Sequence, residues 1–127
     1  MLFLPFFIVS GCDNGSHKPA PIGDHAVLEQ LAEAYRSVAE GYPVQPSSMR
    51  PAGKKEFVER VFSTAGYHHA STLKAMAEQG ADVSNQDHRD LAELLMLPHK
   101  GLAERELAAL YSSEELAAIG SIRVIFK

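Results

Sequence analysis

From Asp24 onward, apolar residues recur three and four positions apart. Val27, Leu28, Leu31, Ala34, Tyr35 and Val38 fall on one face, with Glu29, Glu33 and Arg36 between them, and this spacing predicts a helix over 24–40. Asp24 suits its N-cap, because a carboxylate accepts from the free N–H groups of the first turn, and Gly41 suits its end. Pro43, Pro46 and Pro51, with Ser47 and Ser48, break the pattern, so 42–53 reads as the longest internal loop. Phe57, Val58, Val61 and Phe62 predict a second helix over 54–63, interrupted by Gly66, and Leu73, Met76 and Ala77 predict a third over 68–79. Ser84 or Asn85 caps a fourth, which carries Leu91, Leu94 and Leu95 and is ended by Pro98. The helical pattern resumes over 102–110. Ser112 and Glu115 then form a capping box that opens a last helix through Leu116 and Ile119. The β-branched run 122–126 reads as a short extended tail. No strand-turn-strand pattern occurs. The predicted fold class is all-α, a small bundle of five or six short helices.

The first residues follow a different rule. Positions 2–9 form an unbroken apolar run that includes Pro5. It is too short to span a bilayer, which takes about 20 apolar residues, but it suits the apolar stretch of a secretory signal. Val9, Ser10, Gly11 and Cys12 follow: an aliphatic residue, two small ones and a cysteine. This tetrapeptide resembles the lipobox of bacterial lipoproteins. The resemblance implies lipidation of the Cys12 sulfur by diacylglycerol and signal cleavage between Gly11 and Cys12. It also implies a mature chain that carries acyl lipid and needs no other cofactor. Small residues at Ser10 and Gly11 fit a peptidase that must draw an extended backbone close to its catalytic groups. One departure from the pattern is the lack of Lys or Arg in 1–10, which points to a start upstream of Met1. Residues 13–23, rich in Gly, Pro, Ser and Asn, read as a flexible spacer. The expected organisation is a signal peptide over 1–11, a lipidated tether over 12–23 and a helical domain over 24–127. The resemblance places that domain in the bacterial cell envelope, facing the periplasm. Asp13 after the lipidated residue favours the inner membrane by the enterobacterial sorting rule, while other lineages read neighbouring positions.

Composition narrows the function further. The chain has 127 residues, a net charge of -4 and a single cysteine, which rules out an internal disulfide. Its 12 Lys and Arg residues are scattered among acids, so no basic stripe exists to neutralise phosphates and nucleic acid is not expected as a partner. Trp is absent, which removes the best stacking platform for bases or sugars.

Candidate chemistry is sparse. His68 and His69 are adjacent, and their side chains diverge by about 100° on a helix. They can share a metal ion only if another element brings His88 to one of them. That leaves a metal or small-ligand sensor using His68, His69 and His88 as the alternative reading, against helix-terminal or surface histidines. Glu56, Glu59, Glu104, Glu106, Glu114 and Glu115 interleave with apolar positions as a solvated helix face does, so no acid–base pair is implied. Neither a nucleophile elbow, a phosphate loop nor a dinucleotide fingerprint is present, and no catalytic residue is assigned. Tyr42, Pro43, Val44, Pro46 and Met49 form a semi-apolar loop suited to docking a partner protein, and the His99-Lys100-Gly101 segment is a second exposed candidate. The leading expectation is a non-catalytic accessory or adaptor lipoprotein that binds another envelope protein. A small envelope hydrolase stays open only if two carboxyls converge in a cleft.

Overall fold

The computed structural model describes residues 18–79, 81–100 and 102–126. Those residues form six α-helices and no strand: α1 (His25–Glu40), α2 (Pro51–Thr64), α3 (His69–Gln79), α4 (Gln86–Leu95), α5 (Glu104–Leu110) and α6 (Ser113–Ile125). Short 3-10 turns occupy Pro46–Ser48 and Leu97–His99. None of the described helices is long and apolar enough to cross a membrane.

Local chemistry sets the helix ends. The Asp24 carboxylate accepts from the Ala26 N–H at 3.0 Å, and Asn85 caps α4 by accepting from the N–H groups of Asp87 and His88. At α6 the expected capping box is reciprocal: Glu115 N–H donates to Ser112 Oγ at 3.2 Å, and Ser112 N–H to Glu115 Oε1 at 2.9 Å. Helix α2 starts three residues earlier than the pattern predicts, because Pro51 occupies its first turn, where a missing N–H costs nothing. It ends in a Schellman motif. Gly66 takes a φ of +93°, Gly66 N–H donates to the Ser63 carbonyl at 3.0 Å and Tyr67 N–H to the Phe62 carbonyl at 2.8 Å.

The core is centred on α2. Phe57, Val58, Val61 and Phe62 have no exposed surface, and α1 packs along that helix while the Leu97–His99 turn folds back onto it. Helix α3 packs on α6 through a second layer that includes Leu73, Met76, Ile119 and Ile122. The predicted extended tail is therefore not observed, because α6 continues helically through Ile125. Ala118, Ile119 and Ile122 all face inward, so burial along a helical stripe outweighs the strand preference of a β-branched run.

The final residues read as spacer also belong to the bundle. The Lys18 carbonyl accepts from His68 N–H at 2.7 Å, Ala20 N–H donates to Thr72 Oγ1 at 2.8 Å, and Ala20 is 2 % exposed. This strap turns into α1 at Gly23, whose φ is +86°. A β-carbon there would lie 2.8 Å from His88 Nε2, and His88 is itself held by the Asp82 N–H. Gly23→Ala is expected to lower stability by about 1–3 kcal/mol. Gly120→Ala, in α6 with open space around the new methyl, should be neutral or stabilising by up to about 1 kcal/mol. Urea denaturation midpoints of the two variants check this contrast, and equal responses would refute it.

Candidate functional site

The most unusual feature of the interior is a set of buried polar rings. His69 opens α3 at 2 % exposure, with its Nε2 3.2 Å from the Leu95 carbonyl. Because a carbonyl can only accept, Nε2 carries the proton and Nδ1 presents a bare lone pair. Phe62 meets this ring edge-on at 5.4 Å. His99 lies in the Leu97–His99 turn with no exposed surface, its ring centroid 6.3 Å from that of His69 and 4.6 Å from that of Tyr111. The Arg123 guanidinium of α6 donates to the His99 carbonyl at 2.8 Å and fixes the turn. Tyr111, at the junction of α5 and α6, completes the set. Its ring lies 5.1 Å below Lys55 Nζ, which pairs with Glu59 at 2.7 Å.

Four atoms in this cluster are buried and make no hydrogen bond with the described residues: His69 Nδ1, both ring nitrogens of His99 and the Tyr111 hydroxyl. Each such atom costs about 1–3 kcal/mol of desolvation. Burial pushes the pKa of His69 down, against the raising effects of the Leu95 carbonyl, Glu59 and Glu115. Burial likewise pushes His99 down to about 3, with His69, Arg123 and Lys55 adding to it. Burial, with Glu59 and Glu115, pushes the Tyr111 phenol up. All three groups are neutral at pH 7. Buried without partners among the described residues, these groups bear directly on folding stability.

These histidines correct two expectations. His99 is not part of an exposed segment, since the turn at Leu97–His99 carries Pro98 and His99 into the core. His69 is helix-terminal but not on the surface, because α3 begins beneath the end of α4.

The three histidines of the metal alternative engage separate partners. His68 Nδ1 accepts from Ser71 N–H, His69 turns to Leu95, and His88 Nδ1 accepts from Asp82 N–H at 2.8 Å. Among the described residues, no three His, Cys, Asp or Glu side chains gather in a metal-holding arrangement. Five of the six candidate glutamates are occupied: Glu59 pairs with Lys55, Glu56 with Arg60 and Glu114 with Lys74, while Glu106 and Glu115 cap helices. Glu104 is exposed in the first turn of α5.

The loop proposed for docking is split in two. Tyr42 and Met49 pack on the core, and the Tyr42 ring meets Phe57 edge-on at 5.3 Å. Pro46 opens a 3-10 turn at partial exposure. Pro43 and Val44 remain outward, Val44 at 50 % exposure. Val9, Ser10, Gly11, Cys12 and Asp13 lie outside the described residues.

Sequence reasoning missed the buried role of His99. One signal was available: Leu94, Leu95, Met96, Leu97 and Pro98 form an uninterrupted apolar run into His99, which is unusual for a solvated connection. The chain matches no protein-family model, no curated protein and no solved structure.

Proposed function

We propose that this chain is a lipid-anchored bacterial envelope protein whose helical domain is a non-catalytic accessory module for another envelope protein. The observation that carries the reading is the Val9-Ser10-Gly11-Cys12 tetrapeptide directly after the apolar run 2–9. A diacylated or triacylated cysteine anchors stably, since each buried CH₂ contributes about 0.8 kcal/mol of membrane affinity. The domain supports the reading in two ways. His68, His69 and His88 each engage a separate partner, Glu59 pairs with Lys55 and Glu115 caps α6, and the Pro43–Val44 tip is exposed and apolar. Asp13 favours retention in the inner membrane, with the domain in the periplasm.

Intact mass of the protein purified from bacterial membranes, with any upstream codons included, tests the anchor. Wild type is expected to yield a chain that begins at an acylated Cys12. Cys12→Ala is expected to lose the acyl mass and leave the membrane fraction. A full-length, unmodified wild-type product would overturn the reading. Crosslinking from Val44 then tests the partner: a defined envelope protein adduct supports the module, and no adduct counts against this loop.

A further inference from the structure

A cleft of about 570 Å³ lies between α4, the Leu97–His99 turn and the last turns of α6. Met96, Ile122 and Phe126 give it an apolar floor, Arg89 enters its lining from α4, and Arg123 enters from α6. Two carboxylates share the lining. Glu93 pairs with Lys100 at 3.5 Å, and Asp90 accepts from the neutral Gln86 Nε2 at 2.8 Å. Both arginines also donate to neutral acceptors, so among the described residues two unpaired cations face one unpaired carboxylate. Arg89 Nη2 donates to Gln86 Oε1 at 2.9 Å, and Arg123 Nη2 donates to the His99 carbonyl at 2.8 Å. Among the described residues, no carboxylate lies within 4.0 Å of either guanidinium. A guanidinium offers five N–H donors in a planar fork matched to a carboxylate, so donors remain on both side chains beside the apolar floor.

We propose that this cleft binds a small amphiphilic carboxylate, its acyl chain on Met96, Ile122 and Phe126 and its head group on Arg89 and Arg123. The volume falls in the range of small-molecule sites, about 300–1,000 Å³. A wholly apolar ligand would strip water from two guanidiniums and return no hydrogen bond. A polyanion would meet Asp90 and Glu93 and leave the floor uncovered. A single negative charge on an apolar chain satisfies both parts of the lining. The inference does not depend on lipidation of Cys12.

Titration of the full 127-residue chain with decanoate below its micelle-forming concentration, followed by amide chemical shifts, tests this site. Saturable one-to-one binding is expected, with shifts confined to the end of α4, the turn after it and the end of α6. Arg89→Gln combined with Arg123→Gln is expected to weaken binding about tenfold or more, and decanol, which has the same chain without the charge, should bind correspondingly weakly. Arg123 also holds the His99 turn. If circular dichroism shows the double variant unfolded, the single Arg89→Gln variant, at an exposed position, decides the question. Several outcomes overturn the proposal: no decanoate binding, non-saturable uptake, shifts spread over the molecule, equal affinity for decanol, or unchanged affinity in Arg89→Gln.

Discussion

Acidification from pH 7 to pH 4 is expected to remove about 3 kcal/mol of folding stability through His99 alone. In the unfolded chain His99 takes up its proton near pH 6.5, whereas in the folded chain burial holds its pKa down to about 3. Between those values the unfolded state binds more protons, so stability is present above pH 6.5 and is lost as the pH falls. The loss is about 1.4 kcal/mol per pH unit. His69, also shifted down by burial, adds to the loss in the same direction. The charges facing the pair come from two helices: Lys55 and Glu59 of α2, and Glu115 and Arg123 of α6. Burial has the largest effect on both rings; the two carboxylates favour protonation of His69 and Lys55 opposes it, while Arg123 and Lys55 oppose protonation of His99. Small domains have about 5–15 kcal/mol in total, so this cluster governs acid tolerance. The check is a series of urea midpoints between pH 7 and pH 4 for wild type and His99→Phe. The variant keeps a ring beside Tyr111 and removes two buried nitrogens without partners, so its profile should be flatter and its stability at pH 5 higher. Parallel profiles would remove His99 from the explanation.

The second large effect belongs to Phe57. Its side chain has no exposed surface, and two tyrosines meet it edge-on: Tyr35 of α1 at 5.1 Å and Tyr42 of the following loop at 5.3 Å. Phe57→Ala removes a buried ring and both aromatic pairs. The cavity alone is expected to cost about 3–5 kcal/mol, and each edge-on pair adds about 0.5–1.5 kcal/mol. Phe57→Leu retains much of the volume and should cost about half as much. Thermal and urea unfolding give the totals. Amide hydrogen exchange gives the location, because protection in the 42–49 loop should fall in the alanine variant before protection in α3 does. A loss under about 1 kcal/mol would mean that the tyrosines close over the site.

Helices were readable wherever a cap and an apolar stripe agreed. Asp24 with Val27 and Leu31, Asn85 with Leu91, and Ser112 with Glu115 each fix a helix from residues a few positions apart. The buried rings were not readable in this way. His69 is buried because α3 starts under the end of α4, and His99 because a 3-10 turn folds onto α2, and both facts depend on residues distant in sequence. The C-terminal run misled for a related reason. Its β-branched residues suggest an extended chain, but Ile119 and Ile122 have a place against α3 only if α6 continues. The cleft between α4 and α6 joins Arg89 to Arg123 across 34 positions of sequence, and no local pattern links them.

The strap at 18–23 shortens any tether. Because Lys18 is bonded to His68 and Ala20 to Thr72, only residues 13–17 separate position 12 from the described fold. A stretch of that length spans about 20 Å at most. Were Cys12 lipidated as proposed, the start of α3 would be held within about 20 Å of the bilayer, and a partner would be met beside the membrane rather than out in the periplasm.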